Sequence, residues 1–347
     1  MLNKRQKAIL ELVEQTSPVS AKQILDGISD EFEKVSKPTV LRDLEILLAN
    51  QLIKKRGRAR SVVYESKGGS KLLKYFDVQK YFDTPVDERT VKKQFVFDIF
   101  NNTPGLFTAA ELKHLKKLNE HYQAKIKKLV PAALKREIER ITIELSWKSS
   151  QLEGNTYSLI DTEVLIKESR EAAGHPKEEA TMILNHKRAL DYIFSNPEEF
   201  KKITIAKIRA IHSLLTKNLG IPDNFRKISV GIIGTNYQPL SNQFQIKEAL
   251  EKTVEVLNSE PATPAKALIA ATFIAYIQPF VDGNKRTSRI TADALLLAHG
   301  WCPLSLRSMD AAEYKKALIL FYEQNSLRYF KELFMEQFEF AVQNYFG

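Results

Sequence analysis

Residues 278–289 read Gln-Pro-Phe-Val-Asp-Gly-Asn-Lys-Arg-Thr-Ser-Arg and carry the densest chemistry in this 347-residue chain. An apolar run, Ala265 to Ile277, leads into them, and a second, Ile290 to Ala298, follows. A glycine turn that opens a helix, with cations on the first turns, suits an anion: unpaired N–H groups and the positive end of the helix dipole converge there. Gly283, Asn284 and Lys285 would form that turn. Arg286 and Arg289, three residues apart, share a helix face and can grip one polyphosphate. Asp282 stands where a carboxylate could hold a divalent cation between phosphates.

The elements that must position this segment are helical. From Pro131 onward helical patterning dominates, broken by one strand-like stretch, Ile228 to Ile233. The lack of β–α–β alternation excludes a doubly wound dinucleotide sheet. No Walker loop, zinc-ligand spacing or serine nucleophile elbow is present.

The segment resembles the signature loop of Fic-domain proteins, His-Pro-Phe-x-Asp/Glu-Gly-Asn-Gly/Lys-Arg-x-x-Arg, at every defined position except the first, where this chain has Gln278. The resemblance covers roughly 131–345. It includes Ser149-x-x-x-Glu153-Gly154, Glu179-Ala180 with Asn185, Ile211-His212 with Phe225-Arg226, and Val230 to Pro239. It implies a mainly α protein: a Fic-fold helical bundle over 131–347 with a small β-hairpin flap at 230–239. Such proteins bind ATP and Mg²⁺ and are related to protein adenylyltransferases, which move AMP onto a protein hydroxyl. Asp282 would hold Mg²⁺, Gly283, Asn284, Lys285 and Arg286 would cradle phosphates, and Arg289 would bind the γ-phosphate. The flap would dock a protein target by main-chain pairing, with Tyr237 as an exposed contact residue. Ser149, Glu153 and Gly154 match the family's inhibitory motif, on a helix spanning about 140–155. Glu153 would pair with Arg289 and take the place of the γ-phosphate. Lys285 replaces the commoner glycine and accompanies phosphate transfer in Doc-like toxins, so AMP and phosphate both stay open as the transferred group.

Gln278 decides how much chemistry to expect. A histidine there accepts a proton near pH 7, whereas a glutamine amide can only orient a hydroxyl. Loss of general-base help typically costs about 10²–10⁴-fold. Substitutes by type are His175, His186 or an acid near the flap, and His212 reads as structural. The expected function is a Mg-ATP-binding Fic-fold protein, regulatory or weakly active and autoinhibited by Glu153. The alternatives are an active AMP- or phosphotransferase lacking the usual histidine, and a nucleotide-independent scaffold or transcriptional regulator.

Residues 1–67 predict three helices and a basic two-stranded wing, which resembles the winged helix-turn-helix of bacterial regulators. Lys37 and Arg42 would lie on the reading helix, and Lys54, Lys55, Arg56, Arg58 and Arg60 on the wing, against duplex DNA. The acids Asp43 and Glu45 on that helix weigh against DNA. Residues 68–130 read as a linker and mostly helical connector without assigned chemistry. Composition is that of a globular chain, 44% hydrophobic and 27% charged, and the single cysteine, Cys302, excludes an internal disulfide framework. No membrane-length apolar run occurs, so a cytoplasmic protein is expected. The net charge of +10 favours phosphate-bearing partners. Oligomeric state, including a homodimer, stays open.

Overall fold

The computed structural model describes residues 2–346 apart from 30, 33, 34, 51 and 67–69; the Arg60 side chain also lies outside the described residues. The chain opens with α1 (Lys4–Thr16), α2 (Ala21–Ile28) and α3 (Lys37–Ala49). Each starts at a side-chain cap that satisfies an orphan N–H: Asn3 and Ser20 in capping boxes with Gln6 and Gln23, and Ser36 ahead of Pro38. Strands β1 (Ile53–Arg56) and β2 (Val63–Ser66) pair antiparallel, with Lys54 opposite Glu65. Gly57 starts the connecting loop at φ +89°, where a Cβ would lie 2.3 Å from the Ser61 carbonyl oxygen. Only glycine fits there. Ile9, Leu10, Val13, Ile24, Val40, Leu44, Leu47, Ile53 and Tyr64 give this unit its own core.

The rest of the chain surrounds a second core. After α4 (Val78–Asp83) come α5 (Ala109–Ile126), α6 (Pro131–Gln151), α7 (Leu159–Glu168), α8 (Lys177–Ser195) and α9 (Ile205–Thr216). Then follow α10 (Gln243–Ser259), α11 (Thr263–Ile277), α12 (Asn284–Ala298), α13 (Ala311–Gln324) and α14 (Arg328–Asn344). Every residue of α11 is buried, as expected of a helix that is apolar on all sides. Helix α12 packs along it and buries Arg286, Arg289 and Asp293. No described helix is long and apolar enough to cross a membrane.

Two sequence expectations fail here. Residues 72–108 are mostly short 3₁₀ turns and extended chain, not helix. Leu72, Ile99, Phe100, Leu106, Phe107, Leu115 and Tyr122 also belong to the main core, so 72–126 is part of the body and not a free connector. The expected hairpin flap is also missing: residues 228–237 form a loop without strand pairing. Glycines 231 and 234 interrupt it, and Ile233 is 99% exposed. β-branched residues make a strand only where a partner edge exists. Here the only strand-like pairing among the described residues is an isolated parallel bridge from Gln238 to Gln94, with Gln238 N–H donating to the Lys93 carbonyl at 2.8 Å. Tyr237, expected to be exposed, is buried: it stacks on Tyr276 and donates its hydroxyl to the Tyr276 carbonyl at 2.9 Å.

Asp293 sits among Leu304, Met309, Phe330 and Phe334 and, among the described residues, accepts only from the Leu304 N–H, at 2.8 Å. Burial pushes its carboxyl up to about 8. A folded-state value raised above the unfolded one means that stability is complete below about pH 4 and is lost as pH rises toward 8. The loss is on the order of 1.4 kcal/mol per pH unit in that window. Asp293→Asn keeps the acceptor and removes the charge, so its melting temperature should exceed the wild type's by a margin that widens from pH 5 to pH 8. A margin that stays constant with pH would contradict this.

Candidate anion-binding site at the start of helix α12

Helix α11 ends at Gln278 in the left-handed region (φ 50°, ψ 60°), which turns the chain back on itself. Pro279 and Phe280 follow, with Phe280 fully buried and stacked on His212 at 3.6 Å between ring centroids. Gly283 caps α12 at φ +80°. A Cβ there would also press on Thr216 at 3.0 Å and His212 at 3.4 Å. His212 Nε2 donates to the Asp282 carbonyl at 3.0 Å, and burial lowers the His212 pKa, so the ring is neutral and props the turn from below. Its Nδ1 is buried without a partner.

The loop is cross-linked internally. The Asn284 side chain accepts from Phe280 N–H at 2.8 Å and donates to both the Phe280 carbonyl and Gln278 Oε1 at 2.9 Å. Gln278 Nε2 donates to the Ala275 carbonyl at 2.6 Å. Both ends of the Gln278 amide are therefore engaged, one by the last turn of α11 and the other by Asn284. Arg226, for which the sequence suggested no role, is buried without a carboxylate partner. It donates from Nε to the Gln278 carbonyl at 2.6 Å, and its guanidinium also reaches the Ile228 and Leu240 carbonyls.

The cations converge on one carboxylate. Glu153, just beyond the end of α6, places Oε1 2.8 Å from Arg289 Nη1 and Oε2 2.7 Å from Lys285 Nζ. Burial alone would raise its carboxyl, but Arg289 and Lys285 outweigh that and hold it at about 2. Arg289 is aimed by other partners. Its Nε and Nη2 donate to Ser149 Oγ and carbonyl, both at 2.9 Å, and Nη1 donates to the Tyr314 hydroxyl at 3.2 Å. The Glu153 oxygen beside it makes no aligned hydrogen bond, so this contact acts through charge. Sequence reasoning reached the Glu153–Arg289 pair but missed Tyr314 and the Lys285 contact. Gly154 follows at φ +97° in the turn beyond α6.

Arg286 is buried and pairs with Asp282 Oδ2 at 3.0 Å. The Asp282 side chain is two-thirds exposed, and its other oxygen has no hydrogen-bond partner among the described residues. No cluster of three or more His, Cys, Asp or Glu residues that could hold a metal occurs among the described residues. A single carboxylate next to a phosphate cradle fits Mg²⁺, which is usually held by one or two carboxylates together with substrate phosphates.

The suggested substitute bases are engaged elsewhere. His186 is buried between Ser149 Oγ, at 2.8 Å from Nε2, and the Met182 carbonyl, at 3.1 Å from Nδ1; burial and then the Arg286 charge hold it at about 3. His175 Nδ1 contacts Thr156 Oγ1 at 2.7 Å and Glu179 at 3.5 Å.

In the N-terminal unit, Lys37 and Arg42 are exposed on α3, and so are the apolar Leu41 and Ile46. Asp43, read as an acid on the reading face, points inward to Arg5 and Gln6. Lys54 and Arg56 both pair with Glu65, and all four of Lys54, Lys55, Arg56 and Arg58 are exposed.

A glycine-led helix start with Lys285 and Arg289 on one carboxylate and Arg286 on a neighbouring one is an arrangement suited to an anion. Residues 202–296 match the sequence model of the Fic/DOC family. The chain is 27% identical over 194 residues to a protein adenylyltransferase Fic from Nematostella vectensis, covering 53% of this chain and 44% of that one. With the protein adenylyltransferase fic-1 of Caenorhabditis elegans it shares 24% over 221 residues, covering 62% and 43%. The chain thus spans less than half the length of these curated relatives. Its fold is similar to that of C. elegans Fic-1 (residues 134–508 of that protein), with a TM-score of 0.59, 23% identity, and 68% and 72% of the two chains covered. A Fic-domain signaling protein from Bacteroides thetaiotaomicron aligns with a TM-score of 0.56 at 19% identity, covering 67% and 94%.

Proposed function

We propose that this protein binds Mg-ATP at the start of α12 and is held autoinhibited by Glu153, with AMP transfer to a protein hydroxyl weakened by the glutamine at position 278. The observation that carries this reading is the Glu153 carboxylate lodged between Lys285 and Arg289. Two cations at a helix N-terminus, neutralised by an acid from another element, make a phosphate site occupied by an internal substitute. Lys285 thus joins Arg289 in holding the inhibitory acid, and both become available to phosphates once Glu153 leaves. Mg²⁺ on Asp282 would neutralise phosphate charge.

For AMP transfer, the acceptor oxygen bonds to the α-phosphorus, the bond to the bridging oxygen breaks, pyrophosphate leaves, and the hydroxyl proton must go to a base. Gln278 cannot take that proton. His175 and His186 are engaged elsewhere, as described. A target segment would pair with the exposed backbone of 229–236. Buried Tyr237 is unsuited as a self-modification acceptor.

Incubating wild type and Glu153→Gly with ATP labelled at the α or γ position tests this. The variant should retain both labels without covalent attachment and transfer little of either. Failure of Glu153→Gly to retain nucleotide would end the ATP reading, and covalent γ-label would assign phosphate transfer.

The proposal extends to the N-terminal unit as a winged helix that binds duplex DNA. Supporting it are the inward turn of Asp43 and the exposure of Lys37, Arg42, Lys55 and Arg58.

A further inference from the structure

The positive charge of this chain is concentrated. Residues 113–136 hold eight Lys and Arg against one Glu, a net of +7 out of the chain's +10. Residues 1–67 hold 13 against 9, a net of +4, which leaves −1 for all other residues together. On α5, Lys113, Lys116, Lys117 and His121 recur at successive turns of the outward face, and Lys127 and Lys128 continue the row in the following turn. Lys135 and Arg136 add to it on α6. All eight of these are exposed, and the seven Lys and Arg among them have no acidic partner among the described residues. The inner face of α5 is fully engaged: Leu115 and Tyr122 lie in the main core. Along the helix axis, Lys113 to Ile126 spans about 20 Å, close to six base-pair steps.

We infer that this face is a second contact surface for the phosphate backbone of duplex nucleic acid. Its position favours that partner. At the start of α14, Arg328 pairs with Glu14 of α1 and Lys331 pairs with Glu111 at the start of α5, while Lys125 near the end of α5 reaches the Val342 carbonyl. Helix α5 therefore runs alongside α14, with its first turn toward the N-terminal unit, the other net-positive part of the chain. The row carries no Phe, Tyr or Trp on which unpaired bases could stack, its one ring being His121. The apolar face of α5 is buried, and Val130 is the one large apolar side chain exposed in 113–136 among the described residues, too little to anchor in lipid. Unpaired lysines on a rigid helix suit a regular line of phosphates and read no sequence.

The test uses the full chain and a short fluorescent duplex of mixed sequence, with affinity followed across a salt series. Glutamine at Lys113, Lys116, Lys117, Lys127 and Lys128 together should leave the melting temperature unchanged and weaken binding. It should also flatten the log–log salt slope by about 0.9 for each phosphate that is no longer neutralised, roughly 3 to 4.5 in all. An unchanged slope and affinity would overturn the inference. So would tighter wild-type binding to phosphatidylserine vesicles or polyglutamate than to the duplex, which would assign the face to a membrane or an acidic protein. A Lys55→Gln, Arg58→Gln variant separates this inference from the winged-helix reading. If that variant binds like wild type while the α5 variant is weakened, the α5 surface stands and the winged-helix reading falls.

Discussion

Glu153→Gly should tighten Mg-ATP binding by about a hundredfold. This magnitude follows from losing the buried ion-pair contacts with Arg289 and Lys285, together on the order of 3 kcal/mol in competition with the nucleotide. Lys285 makes the test sharper because it serves both states. With Glu153 present, Lys285→Ala should raise ATP affinity several-fold, because it loosens the internal acid. In the Glu153→Gly background the same change should lower affinity, because it then removes only a phosphate ligand. Titration calorimetry on the four proteins reads both signs. A decrease in both backgrounds would make Lys285 a phosphate ligand only. Acid should not release the latch at working pH. The Glu153 pKa is depressed to about 2, so its contribution is complete above the unfolded value near 4.5 and fades only as pH falls toward 2.

Gln278→His combined with Glu153→Gly should yield self-labelling from α-labelled ATP at about 10²–10⁴ times the rate of Glu153→Gly alone, the usual worth of a positioned general base. The backbone suits the change: Gln278 lies at φ 50°, ψ 60°, a region in which histidine is among the better-tolerated residues. An imidazole can also keep one of the bonds that the amide now makes, to Ala275 or Asn284. Strong labelling by Glu153→Gly alone would show that another group takes the proton and would reject the weakened-enzyme reading. No gain in the double variant would mean that the Gln278 position is not the only deficit.

The parts of the site that were legible in the sequence are those made by consecutive residues. The turn from Asp282 to Arg289 is specified by a glycine between two apolar runs, and the four-residue spacing of Ser149 and Glu153 points both toward Arg289, although α6 ends at Gln151 and Glu153 reaches it from the following turn. What stayed hidden depends on distant packing. Lys285 read as a phosphate ligand because nothing local places it against Glu153. Tyr314 lies 25 residues from Arg289 and reaches it only because α13 folds back. Residues 72–108 escaped because their apolar residues follow neither a helical nor a strand period, although Ile99, Phe100 and Leu106 are core. The flap misled in the opposite direction: Ile232 and Ile233 have strand propensity but no partner edge. Asp43 looked like a surface acid because periodicity cannot show that Arg5 waits behind it.

Arg226 has a consequence for how such a protein changes over time. One buried side chain joins the stems of the flap, at Ile228 and Leu240, to Gln278 at the head of the anion loop. The tip between Gly231 and Gly234 takes no part in that joint. Under the proposed docking of a target on this loop, mutation would redraw the tip, and with it the choice of partner, while the joint at Arg226 keeps the depth at which a hydroxyl is presented. Partner choice and reach would then be inherited separately, so lineages could diverge in one without losing the other.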